Sequence, residues 1–317
     1  MISRVETFAG KQVIDWEYDS DPLDPETTIY RVALSYEYYN ATPKVTWTQR
    51  FADFLSSRQV KSLTGLVVGV WNFAGEMDET KTAEMIEAIA AAHTQLPNLT
   101  ALFLGDIVSE ESEISWIELA DVSPILQAYP ALETLRIRGS SGLTFGARLS
   151  HAHLKELAIE TGGLNPAIIH EVLQADLAAL EHLELWLGTP NYGGNATIDD
   201  LAPLLSPSSQ LFPRLRYLGL RDSEIANDLA AALTISPLIE RIHVLDLSLG
   251  LLDDQGARAL LDCPAVRQLE KLDIHHHFCS QDMIERLQSL GITVDTSEHQ
   301  EPDRWNGEEH RFVAVSE

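Results

Sequence analysis

The sequence predicts an α/β solenoid of stacked strand–helix repeats, with a curved parallel sheet inside, helices outside and a cap at each end. Three observations predict it. A six-residue aliphatic pattern recurs along most of the 317 residues. Segments with apolar residues three and four apart lie between several of its copies, as a buried helix face requires. The composition, 45% hydrophobic and 22% charged, suits a globular chain with a large core.

The pattern is L-x-x-L-x-L with aliphatic substitutions. LTGLVV, LTALFL, LETLRI, LKELAI, LEHLEL, LRYLGL, IHVLDL and LEKLDI begin at Leu63, Leu99, Leu132, Leu154, Leu180, Leu215, Ile242 and Leu269. The intervals are 36, 33, 22, 26, 35, 27 and 27 residues, the longer ones holding insertions. One copy would mean little. Eight mark leucine-rich repeats of the form L-x-x-L-x-L-x-x-N/C-x-L. A single strand and helix cannot bury their apolar faces alone, so such repeats stack. Helical halves are predicted in residues 79–96, 228–236 and 253–263.

Residues 1–60 read as an N-terminal cap, 61–298 as the repeat array and 299–317 as a C-terminal capping tail. In the first cap, IYRVALSYEYY (29–39) alternates as a strand and WTQRFADFLSS (47–57) is an amphipathic helix. The acidic DSDPLDPET (19–27) is a loop. Near the other end, GITVDTSE (291–298) and RFVAVSE (311–317) are strand-like. HQEPDRWNGEEH between them reads as loop.

Acidic residues number 48 and basic residues 22, a formal charge of −26. Such a chain repels phosphate backbones and anionic lipid, so nucleic-acid and membrane partners are not expected, and a basic partner would suit it. Cys263 and Cys279 are too few for a disulfide framework, which points to a reducing compartment. The N-terminus lacks the apolar core of a signal peptide, and no apolar window is long enough for a membrane span. A cytoplasmic location is expected.

Side chains alternate along a strand, so every second residue of the motif faces away from the helices. That register puts Val67, Phe103, Arg136, Ala158, Glu184, Gly219, Asp246 and Asp273 on the concave face. One step further come Gly69, Gly105, Arg138, Glu160, Trp186, Arg221, Ser248 and His275. The candidate binding residues are Arg136, Arg138, Glu160, Glu184, Trp186, Arg221, Asp246, Asp273 and His275. Trp and Arg are the types most enriched at interface hot spots. The plainer reading is that the same charges pair across neighbouring strands. Two insertions add Trp116 (within 105–126) and Tyr192 (within 188–210) as candidate recognition residues, against the plainer reading of padded loops.

The run His275, His276 and His277 cannot form a three-ligand site by itself, because successive side chains alternate. His277 falls where the repeat consensus has Asn or Cys, a position that satisfies backbone groups at the bend. Cys279 reads as a small buried hydrophobe. Asp246, Asp273 and His275 could together hold a divalent ion. That keeps a metal-dependent enzyme or metal-binding protein as the alternative to a polar end of the face. No Walker loop, G-x-S-x-G, H-E-x-x-H or C-x-x-C is present. The expectation is a non-catalytic scaffold for a protein or peptide, with no catalytic residues, metal or cofactor.

The phrases LTALFLGDI, EISWIELADVSPIL, LEHLELWLG, YGGNATIDDLAPLL, LDLSLGLLDDQGARALL and LDIHHHFCS resemble a family of bacterial cytosolic leucine-rich-repeat proteins of unassigned function. The ETFAGKQV start and FVAVSE ending are similar too, so the resemblance spans nearly the whole chain. It implies that the histidine run and the SEISW insertion are family features. Members sit beside genes for radical-SAM, ATP-grasp and sulfatase-like proteins, which implies an accessory role in a modification pathway.

Overall fold

The structure, a computed structural model, describes residues 2–20, 23–35, 44–72 and 79–317. Two compact units emerge, residues 1–160 with 175–177 and 317, and residues 161–174 with 178–316.

In the first unit the strands are β1 (Thr7–Phe8), β2 (Lys11–Asp15), β3 (Thr28–Val32), β4 (Gly65–Val68), β5 (Ala101–Leu104), β6 (Thr134–Arg138) and β7 (Glu156–Glu160). β1 is antiparallel to β2, and β2 to β7 form a parallel ladder in chain order. The register is that of the motif. Leu66, Leu102, Leu135 and Leu157 lie side by side, as do Val68, Leu104, Ile137 and Ile159. All eight are fully buried. Each buried aliphatic side chain contributes roughly 1.5–3 kcal/mol from area removed from water. The helices are α1 (Trp47–Leu55), α2 (Glu79–Ala91) and α3 (Ser123–Ala128). α1 starts at a capping box in which Thr46 and Gln49 satisfy each other's backbone N–H. It buries Trp47, Phe51 and Phe54.

The second unit repeats the plan. β8 (His182–Gly188), β9 (Tyr217–Ser223), β10 (Val244–Asp246), β11 (Lys271–Asp273) and β12 (Thr293–Asp295) run parallel. Leu183, Leu218, Leu245 and Leu272 form one buried row. The helices are α4 (Pro166–Leu173), α5 (Ile198–Leu205), α6 (Ala226–Thr234), α7 (Asp254–Asp262) and α8 (Gln281–Gln288). The fold class is therefore an α/β leucine-rich-repeat solenoid. Among the described residues, no helix is long and apolar enough to cross a membrane.

Glycine is required where the 188–210 insertion leaves its strand. Gly188 has φ +66°, and a Cβ there would fall 2.0 Å from the Gly162 carbonyl oxygen. A Cβ on Gly163 would meet the Tyr192 carbonyl oxygen at 2.3 Å. Bare backbone on both sides lets the turn Pro190–Tyr192 sit directly on residues 162–163.

Four expectations change. The N-terminal region supplies β1 and β2 as well as β3. Among the described residues β3 stops at Val32, and positions 36–39 of the expected strand lie outside the described residues. Positions 21–22 of the expected loop lie outside them too, while Tyr18–Ser20 is a short 3-10 turn. The stretch read as loop holds an antiparallel hairpin, β13 (Asp303–Trp305) with β14 (Glu308–His310). Residues 311–317 form no strand. Val313 and Val315 are buried all the same, so the alternation of valines reflects packing on other loops rather than pairing in the sheet.

Candidate functional site

The sheet face opposite the helices carries the sequence-nominated residues in clusters, each within one unit. In the first unit, Arg138 and Glu160 are register partners on β6 and β7. Arg138 Nε donates to Glu160 Oε2 at 2.8 Å, and Nη1 reaches the Ile107 carbonyl at 3.0 Å, the Ser3 carbonyl at 3.4 Å and Asp106 Oδ1 at 3.5 Å. Asp106 Oδ2 accepts from Arg31 at 2.6 Å, and Arg31 also pairs with Asp15 at 2.6 Å. Arg136 lies 3.5 Å from both Glu156 and Glu160. Both guanidiniums sit over the Phe103 ring, at 5.7 Å for Arg136 and 5.3 Å for Arg138.

This part of the face is covered. Phe8 and Val13 pack with Val67, Ala101 and Phe103 in one apolar cluster, with Val5 against it. The Val5 N–H donates to Asp106 at 3.2 Å. Val67, Phe103, Arg138 and Glu160, expected on an open surface, are consequently buried. Aliphatic and aromatic residues at outward positions need an apolar cover, and the N-terminal segment provides it.

In the second unit, Glu184, Trp186, Arg221 and Asp246 come together as their strand positions require. Arg221 Nη1 donates to Glu184 Oε1 at 2.8 Å, its Nε to Ser248 Oγ at 2.9 Å, and Asp246 lies at 3.4 Å. Trp186 Nε1 donates to Glu184 Oε1 at 2.7 Å, with the Arg221 guanidinium 5.1 Å from its ring. Tyr217 completes the group. Its hydroxyl donates to Asp246 Oδ2 at 2.6 Å, and its ring stacks on His182 at 3.8 Å. Sequence reading missed Tyr217, although its position two residues before Gly219 was a signal. Gly219 has no side chain, so the Tyr217 ring folds over it, where an added Cβ would come within 3.1 Å. Burial, then the two carboxylates, holds the Tyr217 phenol far above its usual range, so it stays a neutral donor.

Asp273 and His275 form a third cluster. His275 Nδ1 contacts Asp273 Oδ1 at 2.7 Å, and Lys271 Nζ lies 2.7 Å from Asp273 Oδ2 and 3.7 Å from Asp295. Asp273, His275 and Asp295 hold ligand-type atoms within 4.8 Å of one another. The expected third member, Asp246, turns instead to Tyr217 and Arg221, and Asp295 on β12 takes its place. Burial opposes ionisation of Asp273, yet hydrogen bonds from His275 and Lys271 hold its carboxyl well below the usual range. The bond to Asp273 raises His275, against the effect of burial.

His277 is fully buried at the consensus Asn/Cys position. Its Nδ1 accepts the Cys279 N–H at 3.1 Å, so its Nε2 carries the proton toward the Thr296 carbonyl at 3.1 Å. Burial lowers its pKa, and lowers those of His151 and His276 as well. Burial pushes the Cys279 thiol up to about 12, which leaves it an inert core residue. Trp116 and Tyr192 lie on the two insertions rather than on the sheet strands. Trp116 stands 65% exposed on the turn Ile114–Trp116, and Tyr192 ends the turn Pro190–Tyr192.

A pH dependence follows from the histidines. His151, His276 and His277 have folded pKa values below the unfolded 6.5, so below that pH the unfolded chain binds more protons. Stability is then lost as pH falls from about 6.5 through their folded values. His275 works in the opposite sense, because its contribution is fully present below pH 6.5 and is lost as pH rises. Urea unfolding should give a lower midpoint at pH 5 than at pH 7, and His275→Gln should steepen the drop. A midpoint that rises on acidification would refute this.

A parallel ladder with in-register leucine rows, helices on one side and charged clusters on the other defines a leucine-rich-repeat protein. No protein-family model and no curated protein matches the sequence. A protein from Bacteroides fragilis of known crystal structure is 32% identical, with a TM-score of 0.78 over 86% of this chain and 74% of that one. At that identity and coverage the chain belongs to the same family as the Bacteroides protein. An internalin from Listeria monocytogenes is 16% identical over 76% of this chain and 56% of its own, with a TM-score of 0.37, too slight a likeness to build on.

Proposed function

We propose that the protein is a non-catalytic scaffold that binds a protein or peptide. The observation that carries this reading is Trp116. Its neighbours Ile114 and Ile117 are 2% and 0% exposed, so the chain anchors the turn on both sides and holds a large aromatic out in solvent at 65% exposure. A rigidly presented Trp is the type of residue that dominates binding energy at interfaces. The charge of −26 favours a basic partner. The clusters on the sheet face support a binding rather than a catalytic role, since their acids and bases are engaged with one another. Arg136, Arg221 and His275 retain partial exposure there and extend the proposed surface. The family resemblance supports a cytoplasmic, accessory role in a modification pathway.

Affinity capture from host lysate, comparing wild type with Trp116→Ala, tests the reading. A specific protein should be retained by wild type and reduced at least tenfold by the variant. Stability should change by less than about 0.5 kcal/mol, as for an exposed residue. Equal retention by both proteins would remove Trp116 from the interface.

A second reading, a metal-binding protein or metal-dependent enzyme, draws on Asp273, His275 and Asp295. The Lys271 ammonium already supplies positive charge between the two carboxylates. Calorimetric titration with zinc should show no sub-micromolar site, and the appearance of one that His275→Ala abolishes would favour this reading instead.

A further inference from the structure

Three equivalent residues, Asp222, Leu249 and His276, are spaced 27 apart, the first near the end of β9 and the others at the bends after β10 and β11. All three have left-handed backbone, with φ of +52°, +67° and +57°. Residues other than Gly rarely adopt this conformation, and a branched Leu has no local hydrogen bond to offset the strain.

Each bend makes a polar contact with the same segment. The Val315 N–H donates to Asp222 Oδ1 at 2.9 Å, the Ala314 N–H donates to the Leu249 carbonyl at 2.8 Å, and His276 Nε2 lies 3.2 Å from the Phe312 carbonyl. Arg311 forms an ion pair with Asp253, and its guanidinium lies 5.4 Å from the Phe278 ring. Val313 and Val315 are buried at 7% exposure, whereas Phe312 is 62% exposed. Residues 311–315 thus lie across successive bends as an extended ligand would, with main-chain bonds for affinity and alternate side chains in pockets.

Two features set the segment apart from the repeats. The hairpin leading into it, 303–310, pairs with itself and is largely exposed, Trp305 at 72%. Beneath the segment, Asp222 is fully buried, and its Oδ2 has no hydrogen-bond partner among the described residues. Burial pushes this carboxyl well above its usual range, against the Val315 N–H and the charge of Arg221, with Glu224 adding to the rise.

We propose that the surface under residues 311–315 is a docking track for an extended basic peptide of a partner protein, and that the chain's own segment is a built-in competitor for it. The peptide would place a cation on Asp253 and β-branched aliphatic residues two and four positions later. A second copy of this chain is disfavoured as the source, because each copy carries a charge of −26. The inference rests on the binding-scaffold reading and names one of its surfaces.

The test uses the full chain and a labelled peptide Arg-Phe-Val-Ala-Val-Ser, followed by fluorescence anisotropy. Val313→Asp with Val315→Asp should unseat the internal segment. That variant should bind the peptide saturably and at least tenfold more tightly than wild type, where the tethered segment competes at an effective concentration of about a millimolar. A folded variant that does not bind the peptide overturns the proposal. Should the variant fail to fold, hydrogen exchange in wild type decides. The Ala314 and Val315 amides should exchange at least a hundredfold faster than the Leu247 amide, which bonds the Asp273 carbonyl. Equal rates would make the segment an integral cap and overturn the proposal. A wild-type dimer that the peptide dissociates would assign the track to exchange between copies and overturn the external partner. Loss of capture on Trp116→Ala with no peptide binding would refute the track alone, leaving the scaffold reading intact.

Discussion

Arg138→Met should lower unfolding free energy by about 3–5 kcal/mol, the usual result of removing one partner from a buried ion pair. Arg138 is 4% exposed and faces Asp106 and Glu160, which are 1% and 3% exposed. Without it, Glu160 keeps only the 3.5 Å approach of Arg136, and Asp106 depends on Arg31 alone among the arginines. The Ser3 and Ile107 carbonyls lose a donor as well. Arg136→Met provides the contrast. Its side chain is 24% exposed and lies 3.5 Å from Glu156 and Glu160, so its partly solvated charge should cost about 1 kcal/mol, well below the loss at Arg138. Arg138→Leu combined with Glu160→Leu should recover only part of the loss, because the Arg138–Glu160 pair is replaced by apolar groups while Asp106 and the Ser3 and Ile107 carbonyls still lack the Arg138 donor. Urea denaturation of the three variants measures this, and equal losses for Arg138→Met and Arg136→Met would refute it.

His277→Ala should cost about 3 kcal/mol. The ring is fully buried and bridges the Cys279 N–H to the Thr296 carbonyl. Truncation leaves a cavity and strands two backbone groups, and each buried unsatisfied group costs about 1–3 kcal/mol. His277→Asn should cost about 1 kcal/mol, because an amide offers both an acceptor and a donor in a smaller volume. Faster hydrogen exchange at Cys279 in the Ala variant than in the Asn variant would locate the damage. Equal destabilisation by both would show that ring volume, rather than the two bonds, holds the bend.

The route from motif to fold was short. A strand has a side-chain period of two, so L-x-x-L-x-L specifies which residues enter the core. The leucine rows from Leu66 to Leu157 and from Leu183 to Leu272 follow directly. The same alternation placed Arg138 beside Glu160, and Trp186, Glu184 and Arg221 together. Other members of these clusters were out of reach. Asp106 lies after its strand, in a loop that repeat spacing does not describe. Asp295 belongs to β12, whose sequence departs from the motif, so its position beside Asp273 was hidden. Tyr217 and Lys271 were within reach, because each precedes a nominated face position by two residues.

Repeat spacing and alternation thus determined the ladder, its register and the face each side chain takes, because these are local periodicities written along the chain. Exposure was decided by tertiary structure. Residues 3–8 cover Phe103 and Arg138, and residues 311–315 cross the bends at Asp222, Leu249 and His276. Neither segment carries the repeat motif. What they lie against is set by apolar area and hydrogen-bond partners contributed by residues up to 135 positions away, which no local pattern records.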